Sequence, residues 1–257
     1  MKFFPVIIIT LFAFAAKAQI AGYTPNSGHS HNDYNQKRPF YTAYNSGMGS
    51  VEADVFIKNG KILVAHNEED TNPARDLETL YLKPIAKAFR QHKGHIFADT
   101  SLKMQLLIDI KLNHKEVLAH MIILLKPYLN YFDQQKNPNA VKIIISGDVP
   151  APANFKDYPS YIYFDGRTTN SYTAGQLQRL GMVSENIASF TKLNSIGLPA
   201  LVDHERLKSV VDLAHSWNKP FRFWGTADRP DSWKLLQDIG ADWIGTDHPE
   251  ELSTYLQ

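Results

Sequence analysis

Two histidines, His29 and His31, stand one residue apart in the run "GHSHNDY", with Asn32 and Asp33 directly behind them. Such a pair can hold a metal, move protons, or simply shape a polar loop. Further on, Glu52 and Asp54 lie two apart in "SVEADVFI", so on a strand their side chains point the same way. Asp109 and Lys111 repeat that spacing in "QLLIDIK". Three carboxylates aimed into one space would repel one another, and a hard divalent cation removes the penalty. Oxygen-only ligation favours Mg²⁺ or Ca²⁺ over zinc. His66 follows a hairpin that turns at Asn59-Gly60 in "KNGKILVAHNE". Imidazoles titrate near neutral pH, so two of His29, His31 and His66 can divide acid and base work. The third shapes the loop or touches substrate, and Lys111 adds a positive charge. A metal, a lysine and two imidazoles suit an anion whose leaving group needs a proton, and a phosphodiester fits that description.

These residues need a scaffold that brings separate segments together. Short apolar runs rich in Ile and Val predict strands buried on both faces. They are Ser50–Ile57, Gln105–Lys111, Val141–Ser146, Tyr161–Gly166, Asn186–Phe190, Pro220–Thr226 and Asp242–Asp247, with a first strand ending at "GHSH". Helical patterns alternate with them. "HKEVLAHMIILLKPYL" places Val117, Leu118, Met121, Ile122 and Leu125 on one face. "DHERLKSVVDLAHSWNKP" starts at a candidate cap, Asp203, and gathers Leu207, Val210, Val211 and Ala214. "RPDSWKLLQDIG" has Pro230 near its start and Gly240 at its end. Eight strands with intervening helices in about 240 residues predict a (β/α)8 TIM barrel, regular or irregular. An open doubly wound sheet would more typically carry a glycine-rich phosphate loop after its first strand, and "HSHNDYN" is not one. In a barrel the strands' carboxyl ends carry the chemistry. His29, Glu52, Asp54, Asp109, Trp224 and the Thr246-Asp247-His248 run all fall there.

Composition removes several alternatives. A net charge of +1 gives no electrostatic case for nucleic acid. The absence of cysteine excludes disulfides, thiolate metal sites and cysteine nucleophiles. Lys2, the apolar run "FFPVIIITLFAFAA" and the small residues of "AKA" read as a signal peptide over residues 1–18. The expectation is a single mature domain over residues 19–257, secreted or periplasmic, with no transmembrane span. The oligomeric state is left open.

The motifs "GHSHN", "GMGSVEADVFIKNGKILVAHNE", "LLIDIK" and "FWGTADRPDSWKLLQDIGADWIGTDHPEEL" together resemble the phospholipase C-like phosphodiesterase superfamily. That group includes glycerophosphodiester phosphodiesterases and sphingomyelinase D-type phospholipases. The wording "HSHNDY…VEADV…LVAH" is most similar to the altered-inheritance-of-mitochondria group. The resemblance runs from Gly28 to Leu252, with an unmatched middle over residues 112–218. It implies a barrel, a divalent cation held by Glu52, Asp54 and Asp109, catalytic histidines His29 and His66, and substrate contacts from Asn32, Lys111 and Trp224. It also implies attack by a neighbouring substrate hydroxyl, giving a cyclic phosphate first. The substrate class is a glycerophosphodiester- or phospholipid-type diester. Two departures stand out. Ser30 and His31 replace an Arg-Gly pair, so a phosphate-binding arginine is missing there unless the loop carrying Arg38 folds back. Asn67 follows His66 where glycerophosphodiesterases have aspartate.

Two other readings fit parts of the pattern. His29-x-His31 at the end of a first strand is also an entry motif of amidohydrolase-type barrels, which bind transition metals through histidine; His66 and His248 would have to complete that set. An exported barrel that binds a phosphorylated or sugar ligand without turning it over is the third.

Overall fold

A computed structural model describes residues 22–257. The signal peptide read over residues 1–18 lies outside the described residues. Nine strands form one sheet: β1 Gly28–Ser30, β2 Ser50–Lys58, β3 Lys61–Val64, β4 Gln105–Ile110, β5 Lys142–Gly147, β6 Ile162–Gly166, β7 Leu180–Asn186, β8 Phe221–Trp224 and β9 Ile244–Thr246. Eight of them run parallel in the order β8-β7-β6-β5-β4-β2-β1-β9, and β3 pairs antiparallel with β2 outside that path. The two ends meet where Arg222 bridges to Trp243 and the Phe221 carbonyl accepts from the Asp242 and Trp243 amides. The result is a nearly closed parallel barrel.

In β2 and β4 the two strand faces carry different residues. In β2, Val51, Ala53 and Val55 point outward into the main core, while Ser50, Glu52 and Asp54 point into the barrel. β4 repeats this, with Leu106, Ile108 and Ile110 outside and Gln105, Leu107 and Asp109 inside. The core therefore lies between strands and helices. Inside the barrel an apolar cluster of Leu107, Ile144 and Met182 packs with Tyr163 and Trp243, and the polar side chains stand on that floor.

The predicted helix faces are buried as expected. Val117, Leu118, Met121 and Leu125 are buried on His114–Leu125, with Ile122 half-buried beside them. On His204–Ser216 the buried residues are Leu207, Val210, Val211 and Ala214. Two expectations need correction. The strand placed at Asn186–Phe190 ends at Asn186: the asparagine side chain accepts from the Ala188 amide, which starts a 3-10 turn over Ile187–Ser189, so the strand is the preceding Leu180–Asn186. Asp203 makes no capping bond; its carboxylate accepts from the Thr191 hydroxyl at 2.7 Å instead. The barrel is also irregular. The β5–β6 crossover is a 3-10 segment, Pro152–Asp157, and the β6–β7 crossover carries a four-residue helix, Ala174–Leu177. Proline at 150, 152 and 159 denies the first crossover a continuous helical hydrogen-bond ladder. No helix among the described residues is long and apolar enough to cross a membrane.

Candidate active site

Register decides which side chains meet. Parallel pairing of β2 with β4 sets Asp54 level with Asp109 and Glu52 level with Leu107. β1 pairs His29 with Ser50, one layer deeper. Oxygen atoms of Glu52, Asp54 and Asp109 consequently lie within 4.8 Å of one another. They stand at the carboxyl ends of the strands, in a cavity of about 510 Å³ that His29, His31, His66, Lys111, Arg222 and Trp224 also line. That volume suits a small organic ligand.

Each charged group has a defined partner. Lys111 Nζ donates to Asp54 Oδ2 at 2.7 Å and to Asp109 Oδ2 at 2.5 Å. Burial opposes the ammonium charge, but the hydrogen bonds it donates to Asp109 and Asp54 win and raise the Lys111 pKa. Burial raises the Asp109 carboxyl, against the Lys111 bond. Arg222 Nη1 donates to Glu52 Oε2 at 2.7 Å and also contacts His29 Nε2. Burial alone would raise the Glu52 carboxyl; the Arg222 guanidinium outweighs it and holds the group well below the usual carboxylate range.

The histidines differ sharply. His29 is fully buried, with Nδ1 2.7 Å from Ser50 Oγ and Nε2 2.7 Å from Glu52 Oε2. Burial, reinforced by Arg222, pushes its pKa down to about 4, so the ring is neutral at physiological pH. His66 is more than half exposed, and its Nδ1 lies 3.0 Å from Asp54 Oδ2. The Ala65 amide donates to the Asp54 carbonyl, so the β3 hairpin returns the chain to β2 immediately before His66. His31 Nδ1 lies 2.9 Å from Asp247 Oδ1, and its Nε2 is 4.0 Å from Glu52. Burial would lower the His31 pKa, but the Asp247 hydrogen bond and the Glu52 charge raise it. In Asp247→Asn the His31 pKa should therefore fall, which proton NMR titration of the ring reads directly.

The remaining sequence candidates are placed as follows. Trp224 is 40% exposed on the cavity wall, far for a tryptophan from ordinary core packing. Asn32 does not line the cavity. It adopts a left-handed turn (φ 47°), with Nδ2 3.0 Å from His31 Nδ1 and Oδ1 2.6 Å from the Tyr34 hydroxyl. It holds the loop rather than facing the ligand space. Arg38 does not fold back: its guanidinium lies 5.1 Å from the Tyr41 ring centroid, away from the cavity.

Sequence reasoning missed Arg222 and Tyr34. The Tyr34 hydroxyl lies 2.8 Å from Asp54 Oδ2 and 3.4 Å from His66 Nδ1. Burial and the Asp54 charge raise its pKa, so it stays protonated and can donate. A signal for Arg222 was present: it precedes Trp224 by two in "FRFW", and residues two apart on a strand share a face.

The donor set fits a hard divalent cation. Asp54 Oδ1 is buried without a hydrogen-bond partner, and a buried carboxylate oxygen normally has one. Three carboxylates against Lys111 and Arg222 leave one negative charge uncompensated in a buried site. Among the described residues, the only group of three or more potential ligands this close is the all-carboxylate one, and no histidine belongs to it. The amidohydrolase-type reading needs His29 and His31 on one metal; instead their rings bond Ser50 and Glu52 on one side and Asp247 on the other.

Gly147, at the end of β5, guards Asp109. Its φ is +72°, and a Cβ there would fall inside contact distance of Asp109 Oδ1 and the Ile110 carbonyl. Gly147→Ala combines left-handed strain of roughly 1–2 kcal/mol with that clash. The expected outcome is a lower urea midpoint together with weaker cation binding, because the cheapest relief is to move Asp109.

A profile of the AIM6-like phosphodiesterase domain matches residues 18–165. Altered inheritance of mitochondria protein 6 from Eremothecium gossypii is 27% identical over 268 residues, covering 88% of this chain and 68% of that protein. The homologue from Arthroderma benhamiae is 30% identical over 174 residues, 56% of this chain and 54% of that one. Both the profile and the first relative extend into the middle stretch that the motifs left unmatched. Among solved structures, a glycerophosphodiester phosphodiesterase from Parabacteroides distasonis superimposes with a TM-score of 0.52 at 13% identity, covering 91% of this chain and 93% of that one. That likeness is one of fold.

Proposed function

The chain belongs to the AIM6-like phosphodiesterase domain family, and from that premise we propose that it cleaves a phosphodiester using a divalent cation, Mg²⁺ or Ca²⁺, and two imidazoles. The observation that carries this reading is the carboxylate trio within 4.8 Å, flanked by His29 on one side and His66 on the other. The substrate class is a glycerophosphodiester or phospholipid. Trp224, exposed on the cavity wall, offers an apolar face to the organic part of such an ester. The reaction is assigned outside the cytoplasm, because Lys2, the apolar run behind it and "AKA" have the order of an export signal.

Glu52, Asp54 and Asp109 would hold the cation, which when bound supplies charge neutralisation to the phosphoryl oxygens. The protein's own groups do the rest. Lys111 fixes the Asp54 and Asp109 carboxylates in place through its two bonds. His29, neutral above pH 5, is suited to accept the proton of the attacking hydroxyl, from the substrate itself or from water. His66 has Nδ1 oriented by Asp54, which leaves Nε2 to deliver a proton to the departing alkoxide. Asp54 thus serves both the cation and the acid. Glu52, Asp54 and His29 are buried, and burial strengthens their interactions relative to solution.

The test is a panel of phosphodiesters (an activated aryl diester, glycerophosphocholine and a lysophospholipid) with Mg²⁺ or Ca²⁺ added, wild type beside Glu52→Gln. Cation-dependent turnover that Glu52→Gln loses supports the reading. Binding of these diesters with no turnover of any would replace it with a carrier.

A further inference from the structure

Arg222 has no task in the reaction as described. It sits on β8, 7% exposed, and lines the cavity from the side of the barrel away from Lys111. Phe221 and Phe223 beside it pack outward in the core, so strand alternation alone forces residue 222 into the barrel interior. An interior position without a task is ordinarily apolar, because a buried guanidinium is costly to desolvate. Its bonds to Glu52 and His29 are made by Nη1 alone, and Nε is buried with no partner. A guanidinium has five N–H donors in a planar fork suited to two oxygens of one anion.

We propose that Arg222 binds the phosphoryl group, taking a non-bridging oxygen at the floor of the cavity. This rests on the phosphodiesterase reading above and names the residue that recognises the anion there. Charge carries the argument first. With a divalent cation bound, the three carboxylates and Lys111 alone would sum to a neutral floor, leaving an anion only the cation's own local attraction. Arg222 makes it positive by one, the complement of a phosphodiester monoanion. Availability carries it second. Lys111 is already engaged by Asp54 and Asp109 at 2.7 and 2.5 Å. Arg167, the other arginine on the wall, is tied by Nη1 to Asp165, the Gly166 carbonyl and Ser184, and none of these belongs to the cation site. Of these two arginines, Arg222 is the one paired with a carboxylate that a cation would claim. Once Glu52 serves a cation, the guanidinium is released from its counter-charge and is left facing the cavity.

The experiment titrates inorganic phosphate into the full chain by calorimetry, with Mg²⁺ or Ca²⁺ saturating, for wild type, Arg222→Lys and Arg222→Met. Each protein is also titrated with the cation alone. The methionine variant leaves Glu52 buried without a counter-charge and risks unfolding; the lysine variant keeps the charge and removes the fork. Arg222→Lys should weaken phosphate by ~10- to 100-fold, the range of a lost charge-assisted bond, while cation affinity stays within about threefold. Millimolar guanidinium should restore phosphate binding to a folded Arg222→Ala protein. A merely structural Arg222 would shift the unfolding midpoint and the cation affinity and leave phosphate affinity unchanged; that result overturns the proposal, as does wild type that binds no phosphate with the cation present. The two readings separate cleanly. Wild type that binds phosphate through Arg222 yet turns over no diester sinks the catalytic reading and leaves this one standing.

Discussion

Replacing His29 by asparagine should lower kcat/KM on an activated phosphodiester by ~10²–10⁴-fold, the usual contribution of one acid–base partner, while the protein stays folded. Asparagine is chosen because its amide can occupy the place of the imidazole Nδ1 and keep the bond to Ser50 Oγ, which is 2.7 Å long in the wild type. What disappears is Nε2, the atom that faces Glu52. Retention of activity within tenfold would remove His29 from the chemistry. The same variant carries a stability signature. His29 titrates at about 4 in the folded chain, against 6.5 when exposed, because burial and Arg222 disfavour its charge. The unfolded chain therefore takes up this proton first. Stability from this source is fully present above pH 6.5 and is lost as pH falls toward 4, by about 3 kcal/mol at 1.36 kcal/mol per unit. Asp33 acts in the opposite sense over part of that range, since burial raises its carboxyl to about 6 against three donated hydrogen bonds. The measurement is thus a difference. The gap in urea midpoint between wild type and His29→Asn should narrow from pH 6.5 to 4, and a gap independent of pH would contradict the buried neutral imidazole.

Asp54→Asn is the second large effect. It should weaken Mg²⁺ or Ca²⁺ binding and reduce turnover by on the order of 10³-fold, matching the several kcal/mol a Lewis acid contributes. The change is nearly isosteric, and Lys111 keeps its bond to Asp109, so folding should survive. Glu52→Gln is a blunter probe of cation binding, because it leaves the Arg222 guanidinium buried without its partner, a loss of about 3–5 kcal/mol. Asp54 also bonds His66 Nδ1 at 3.0 Å, so in the proposed reaction it would link the cation to the proton donor. Asp54→Asn should accordingly impair the proton donor as well, and its kcat should fall further than saturation with cation can recover. Chelation of wild type should abolish turnover, with Mg²⁺ or Ca²⁺ restoring it. Restoration by Zn²⁺ alone would return the His-x-His reading.

Much of this site is legible in sequence because strand geometry is local. Two residues apart on a strand means one face, so Glu52 with Asp54 and Asp109 with Lys111 could be paired before any fold was known. The Asn59-Gly60 turn, with both residues at positive φ, fixed the hairpin that returns His66. Where local rules compete, tertiary contacts decide the outcome. "NIASF" is as apolar as a strand, yet the strand ends at Asn186, whose side chain caps the turn that follows. Asp203 looked like a helix cap, but Thr191, twelve residues earlier, holds its carboxylate.

The amino-acid sequence by itself determined which faces of which strands carry charge, since alternation along a strand depends on neighbouring residues alone. Barrel closure decided the rest. It brings Arg222 to Glu52 across 170 residues, sets Asp247 against His31 across 216, and buries the His29 ring fully. Those contacts depend on the register of every strand between them, which no single stretch of the chain encodes.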